Sequence, residues 1–169
     1  WSVERCVNPS TGQFWFTGIA VHNVRAWDNN SDGATDTIRS NVWWWNAADM
    51  DGDGFLERRV ILFYNHVLID DDADGNYSWQ RISYIYHLRV FDANGTQIQG
   101  WYMHYVMFRH NINHLGHAFY TNATYVAWAW DASNGWTHVI TTTWQAWDFD
   151  RDGVVDSTNY TSAQQSTPP

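Results

Sequence analysis

The alternation of apolar and polar side chains is clearest between residues 77 and 91. Apolar residues occupy every second position there: Ile82, Tyr84, Tyr86, Leu88 and Val90. The positions between them are polar or charged over most of this stretch. A period of two places successive side chains on opposite faces of an extended chain. The segment therefore predicts a β-strand.

Further stretches rich in Val, Ile, Tyr, Trp and Thr alternate with turns rich in Asp, Asn and Gly. Strands are predicted near residues 14–27, 36–47, 57–69, 77–91, 96–109, 117–130, 136–147 and 153–160. No segment shows a convincing helical period. Because short turns join consecutive strands, neighbours should pair antiparallel. The predicted fold is all-β: an antiparallel meander of about eight strands that forms a sandwich or a barrel, with calcium-binding loops at its turns.

The chain of 169 residues fits one domain. Residues 1–13 are interpreted as an N-terminal arm or edge strand, and residues 14–160 as a single β domain. Residues 161–169 contain only Thr, Ser, Ala, Gln and Pro, which is typical of a linker or tail.

Four loops share one pattern, with oxygen-bearing side chains at positions 1, 3 and 5 and glycine at position 6. They begin at Asp28, Asp49, Asp70 and Asp148 and contain 14 of the 16 aspartates. Turn formation explains an Asp-Gly pair, but it does not explain three oxygens at strict two-residue spacing in four copies. The pattern is an internal repeat.

The spacing favours a hard cation such as calcium, which takes six to eight oxygen ligands. Alternate side chains on a curled backbone converge on one point, and glycine permits the bend that aims the next carbonyl at the ion. Position 9 offers a further oxygen. The predicted metal ligands are Asp28, Asn30, Asp32, Asp36, Asp49, Asp51, Asp53, Glu57, Asp70, Asp72, Asp74, Asp148, Asp150, Asp152 and Asp156. We expect two to four bound Ca²⁺ ions.

The loops resemble the calcium loops of EF-hands, dockerins and thrombospondin type 3 repeats, and the D-x-D-x-D-G loops of secreted β proteins such as FG-GAP and VCBS repeat domains. The resemblance is limited to the loops and implies a metal site, not a family for the whole chain. The bidentate Glu that an EF-hand carries at position 12 is absent here, where Arg39, Val60, Arg81 and Asn159 stand. A structural role for the ion is therefore favoured over an opening switch.

The charge balance excludes several partners. The nine basic residues are all arginine, and the formal net charge is −9. Nucleic acids and anionic membrane surfaces attract basic faces, so neither is expected as a partner. No apolar run approaches the roughly 20 residues of a spanning helix, so no membrane span is expected.

Five N-x-S/T sequons indicate a secreted or cell-surface protein that can carry glycans. They begin at Asn29, Asn76, Asn94, Asn122 and Asn159. Cys6 is the only cysteine, so no internal disulfide can form.

Tryptophan and histidine are the remaining signals. The run Trp43-Trp44-Trp45 places indole rings on both faces of a predicted strand. One face can belong to the core, and the other can form a subunit interface or a platform on which sugar rings stack. His104, His110, His114 and His117 lie close in sequence, but their spacing matches no zinc signature, and they are interpreted as polar turn residues.

No catalytic motif is present, and the chain is not expected to be an enzyme. The favoured function is a secreted, calcium-stabilised structural subunit that self-associates into a filament, tube, surface layer or adhesive stalk. One alternative is a calcium-dependent carbohydrate-binding module that uses exposed Trp. A weaker alternative is an outer-membrane β-barrel, for which the number of strands and the many aromatic residues are typical.

Overall fold

Strands account for all regular secondary structure in the computed structural model, which describes residues 2–7, 9–72 and 74–164. In chain order the strands are β1 Ser2–Val7, β2 Phe14–Trp27, β3 Thr37–Ala48, β4 Arg58–Ile69, β5 Trp79–Phe91, β6 Gln97–Ile112, β7 Ala118–Asp131, β8 Gly135–Trp147 and β9 Ser157–Gln164. Helices are absent from this described part, so it holds none that is long and apolar enough to cross a bilayer.

Each strand pairs antiparallel with the next, in the order β1 to β9 within one sheet. The predicted all-β meander is confirmed. The strands number nine instead of about eight because residues 2–7 pair with β2 along Ser2↔Ala20 to Val7↔Phe14. Across the described residues β1 pairs only with β2 and β9 only with β8. The sheet is therefore open, and of the two predicted forms it does not take the closed one.

Strand β9 continues through Gln164, into the segment interpreted as a tail. Thr and Ser side chains at 161 and 162 suit a strand as well as a linker, and they pair with residues 143 and 142 of β8. Trp1 of the predicted arm and residues 165–169 of the predicted tail lie outside the described residues.

The four acidic loops each span nine residues between the last paired residues of two strands. The flanking pairs are Trp27↔Thr37, Ala48↔Arg58, Ile69↔Trp79 and Trp147↔Ser157. We call the loops, residues 28–36, 49–57, 70–78 and 148–156, the first to fourth loops. Because strand direction alternates, the first, third and fourth loops lie at one end of the sheet and the second lies at the other. Each loop thus fixes the register of the two strands it joins.

Buried apolar side chains are small. They are Ala47, Val60, Val67, Ile112, Ala118, Ala123, Ala127 and Ala146. Among the residues described, Val60 is the largest that is almost completely buried, and extensive contacts between strands join only chain neighbours. Larger groups stay partly exposed on the sheet faces, with 39% exposure for Trp43 and 51% for Trp15. Neighbours on the same face shield these side chains only in part, so hydrophobic burial alone contributes modestly to stability.

Candidate metal centres

The first aspartate of each loop folds the loop back on itself by accepting backbone N–H groups. In the first loop the N–H of Ser31 donates to Asp28 Oδ1 (2.6 Å) and the N–H of Gly33 donates to Asp28 Oδ2 (2.9 Å). The second loop repeats this arrangement, with Gly52 donating to Asp49 Oδ1 (2.6 Å) and Gly54 to Asp49 Oδ2 (2.8 Å). A short acidic side chain that satisfies nearby donors is a turn former in its own right.

The third and fourth loops follow the same plan. Gly75 donates to Asp70 Oδ2 (3.0 Å), and Gly153 donates to Asp148 Oδ2 (3.0 Å). The N–H of Asp152 also donates to Asp148 Oδ1 (3.2 Å). The four loops therefore share one local structure, as their common sequence predicts.

The glycine at position 6 adopts a left-handed backbone in every copy. Its φ is 91° at Gly33, 93° at Gly54, 87° at Gly75 and 95° at Gly153. A side chain strains this conformation, which explains why no other residue occupies the position. The N–H of position 7 then donates to the carboxylate of position 5 at 2.7 Å in all four loops.

Position 9 closes each loop. The N–H of Asn29 donates to Asp36 Oδ2 (2.6 Å), and the N–H of Met50 donates to Glu57 Oε2 (2.7 Å). In the fourth loop the N–H of Phe149 donates to Asp156 Oδ2 (2.6 Å). In the third loop a hydroxyl takes this role, since the N–H of Asp71 donates to Ser78 Oγ (2.8 Å).

Three carboxylates in these loops each bury an oxygen that has no hydrogen-bond partner. The atoms are Asp36 Oδ1, Glu57 Oε1 and Asp70 Oδ1, on side chains that are 3%, 7% and 6% exposed. Burying a polar atom without a partner is costly, and native proteins seldom leave one unsatisfied. A cation among the loop oxygens would satisfy these atoms.

The acidic oxygens also lie close enough to share one ion. Within each group the ligand atoms lie within 4.8 Å of one another. The groups are Asp28, Asp32 and Asp36; Asp49, Asp51, Asp53 and Glu57; Asp70, Asp72 and Asp74; and Asp148, Asp150 and Asp156. Carboxylate oxygens this close together can contact one cation at the same time. Each group could therefore hold a metal ion.

Two of the predicted ligands, Asn30 and Asp152, are not members of these acidic groups, Asn30 because it carries an amide and not a carboxylate. Asn30 Oδ1 accepts the N–H of Asp32 (3.0 Å), while its amide donates to Asp32 Oδ2 (3.0 Å). Asp152 Oδ1 accepts the N–H of Val154 (2.7 Å). Both side chains shape their loops through these hydrogen bonds.

The loops differ in how readily their carboxyls ionise. Desolvation raises the pKa of Asp49, but N–H donors from Gly54, Gly52, Asp51 and Asp53 outweigh it and hold the pKa below its usual value. In the third loop, a side-chain hydrogen bond to Asp70, then desolvation, then the charge of Asp74 raise the pKa of Asp72. The pKa of Asp74 is lowered, mainly by the backbone and side-chain donors of Asn76. The pKa of one grouped carboxyl is thus raised in the third loop, whereas in the second loop the pKa of Asp49 is lowered.

The four histidines between positions 104 and 117 do not converge. His104 lies beside Ser83 Oγ (3.4 Å), and the ring of His110 stacks on Tyr120 with centroids 5.9 Å apart. His114 is exposed in a turn. In the part of the chain that the structure describes, the groups of three or more candidate ligands are the four acidic loops alone.

His117 and Asn113 have a role that the sequence reasoning missed. The side-chain amide of Asn113 donates to the carbonyl of Arg151 (3.0 Å), and His117 Nδ1 lies 3.2 Å from the same oxygen. The turn at residues 113–117, which joins β6 and β7, thereby contacts the fourth loop and holds it in place. The available signal was the gap in the spacing of the acidic loops, which leaves room for one more turn near this position.

No protein-family model matches the chain, and comparisons with curated proteins and with solved structures give no match either.

Proposed function

We propose that this chain is a calcium-stabilised structural β protein that acts outside the cell as a subunit of a larger assembly. The carrying observation is the set of buried, unpartnered carboxylate oxygens at Asp36, Glu57 and Asp70, each within a group of converging acids. Such atoms are costly in a metal-free fold and favourable beside a cation.

Calcium is the ion that this donor set suits best. The grouped ligands are all carboxylates, and no imidazole or thiolate joins them in the described residues. Hard oxygen donors favour calcium or magnesium over zinc or copper, and loops of flexible backbone tolerate the variable geometry of calcium. We propose two to four bound ions, with the first and second loops as the strongest sites because their position 9 carboxylates, Asp36 and Glu57, each bury an oxygen without a hydrogen-bond partner.

Each ion would fix a strand register. The residues that flank a loop are already the last pair of an antiparallel ladder, so holding the loop rigid holds that pair in place. An ion that binds only the folded loop stabilises it by mass action. Millimolar extracellular calcium suits sites of moderate affinity, which agrees with secretion.

Self-association is supported by the exposed surface of the sheet. Strand β9 is exposed along its whole length, and Tyr160 within it is 62% exposed. Trp15 and Val24 add large exposed apolar groups on opposite faces of β2. Edge strands and exposed aromatics recruit further chains. We therefore propose a homopolymer such as a filament, tube, surface layer or stalk; the absence of enzymatic activity stays a prediction.

The metal part of the proposal is tested by isothermal titration of calcium into chelator-treated protein, with metal analysis of the dialysed sample. We expect at least two ions per chain, at dissociation constants of about 10⁻⁴–10⁻³ M or tighter. Magnesium serves as the control ion, since its smaller octahedral shell should give weaker binding. Absence of any bound dication at millimolar calcium would contradict the proposal.

The assembly part is tested by analytical ultracentrifugation in calcium with Tyr160→Lys and its matched control Tyr160→Phe. A charge on an exposed edge opposes strand addition, whereas Phe keeps the apolar ring. We expect calcium-dependent oligomers for the parent chain and for Tyr160→Phe, and a shift toward monomer for Tyr160→Lys. A parent chain that stays monomeric at high concentration would contradict self-association and leave the calcium result unaffected.

A further inference from the structure

An aromatic cavity lies on one face of strands β5 to β8, and no residue of the four acidic loops lines it. Its volume is about 330 Å³, and its walls are His87, Tyr102, Trp128 and Trp136. Three of these residues lie in one cross-strand row, His87↔Tyr102↔Trp128. Residues opposite each other in antiparallel strands share a face, so the rings stand side by side.

A glycine and a register shift create the space. Gly100 lies on the same face as Tyr102, and a Cβ there would stand 2.9 Å from Trp136 Cη2 and 3.0 Å from Trp130 Cβ. The missing side chain lets the Trp136 indole lie over the strand. The register shifts between Ala127 and Trp128, and such irregularities re-aim the side chains beside them.

The rings border the cavity without covering one another. His87 and Trp136 are inclined at 59° with centroids 5.4 Å apart, and Tyr102 and Trp128 at 55° with centroids 5.3 Å apart. His87 and Tyr102 meet edge to face at 80°. Rings stacked in parallel would cover one another's faces. Tilted rings leave parts of their faces available to a ligand.

The walls of the cavity are almost wholly apolar ring surface, and they carry no charge. Arg89 Nε donates to His87 Nε2 (3.0 Å), so the other ring nitrogen of a neutral His87 carries a proton and can donate. Burial, and then the charge of Arg89, lower the pKa of His87 and keep the ring neutral near pH 7. No carboxylate is among the lining residues.

We propose that this cavity binds a pyranose ring of a glycan. A pyranose offers apolar C–H faces to aromatic rings, which matches these apolar walls, and it carries no charge that the walls would have to neutralise. A quaternary ammonium group would also suit an aromatic cage, but a nearby guanidinium and the lack of an acid disfavour a cation. Because no acidic loop lines the cavity, binding is independent of calcium wherever the sheet stays folded. This proposal stands apart from the proposed structural function.

The test is titration of a panel of soluble hexasaccharides of glucose, N-acetylglucosamine and mannose, followed by Trp fluorescence and calorimetry. The variants are Trp136→Ala and Gly100→Ala, with Trp43→Ala as the matched control. Trp43 and Trp136 are both 39% exposed. Any change that comes only from removing an exposed indole should therefore be the same in both variants. Circular dichroism verifies that each variant is folded, and Trp136→Phe replaces Trp136→Ala where the latter is not.

We expect at least one hexasaccharide to bind the parent chain, with or without calcium. Trp136→Ala and Gly100→Ala should weaken this binding about tenfold, which corresponds to about 1.4 kcal/mol, and Trp43→Ala should leave it unchanged. The proposal is overturned by no binding across the panel, by equal loss in Trp43→Ala, or by tetramethylammonium binding at the cavity in place of every sugar.

Discussion

The second and third loops share a backbone plan but differ in the side chain that closes them. In the second loop Glu57 accepts the closing N–H with one oxygen and keeps its other oxygen buried without a partner. In the third loop the Ser78 hydroxyl accepts the closing N–H, and the unpartnered oxygen belongs to Asp70. The second loop thus groups four carboxylates and the third groups three.

This difference distinguishes the interactions that fold a loop from those that set its affinity for an ion. Either a carboxylate or a hydroxyl can complete the hydrogen bonds that shape the loop, but only the carboxylate adds charge and a strong ligand. The third loop also carries Asp72, whose pKa is raised mainly by its side-chain hydrogen bond to Asp70. The second loop also offers an ion one carboxylate more than the third does. We therefore expect the second loop to be the tighter site.

Removing all ions should have the largest effect. Chelation with EDTA removes the stabilisation that each occupied loop contributes, and for two or more sites we expect the melting temperature to fall by about 5–10 °C. Differential scanning calorimetry measures the shift, and readdition of calcium should restore it. An unchanged melting temperature would show that the loops are ordinary turns.

The substitution Glu57→Gln should have the next largest effect. Glutamine keeps the acceptor for the Met50 N–H and removes the charge, so the loop stays folded while its site weakens. We expect the dissociation constant of one calcium site to rise about tenfold or more by calorimetry.

The control is Glu4→Gln, which changes the other glutamate of the chain, an exposed residue of β1. An equal change in both variants would mean that net charge, and not ligation, governs binding.

The reverse change, Ser78→Asp, should strengthen the third loop. It supplies the carboxylate that the second loop already has at this position. We expect the affinity of one calcium site to rise about tenfold, whereas Ser78→Thr keeps the hydroxyl and should leave binding unchanged. If Ser78→Asp binds no more tightly than Ser78→Thr, position 9 does not set affinity.

The smallest effect is expected at Asp131, which provides a turn without a grouped set of acids. Its pKa is lowered by N–H donors from Asn134 and Ser133 and by the Asn134 amide. A pKa lowered on folding means that the ionised group stabilises the fold above about pH 4 and that this contribution is lost as the pH falls.

Asp131→Asn should therefore leave the calcium stoichiometry unchanged and make acid unfolding slightly less steep, as followed by circular dichroism. A lost calcium ion in this variant would show that the turn belongs to a metal site.

Much of the fold could be predicted from local patterns in the sequence. The alternation across residues 77–91 predicts the strand observed as Trp79–Phe91, and the repeated glycines predict the shared loop conformation. Whether the sheet closes depends on twist accumulated over all strands, which no local period reports. The barrel alternative could not be excluded from sequence for that reason.

The aromatic cavity was not predictable either. It depends on Gly100 and on the register shift beside Trp128, which lie near each other on adjacent strands, and the pattern within a single strand does not report such a combination. By contrast, the candidate ligands at position 9 lie at a fixed spacing within each loop, so they could be named from the sequence.

The strictly sequential pairing of the strands makes the molecule a one-dimensional array. Extensive contacts join only consecutive strands, so each hairpin depends on its immediate neighbours, much as units do in repeat proteins. Stability then approximates a sum of nearest-neighbour contributions, and damage stays local. Loss of the ion at the second loop would loosen the β3–β4 hairpin first, while the far end of the sheet, at β8 and β9, keeps its own pairing.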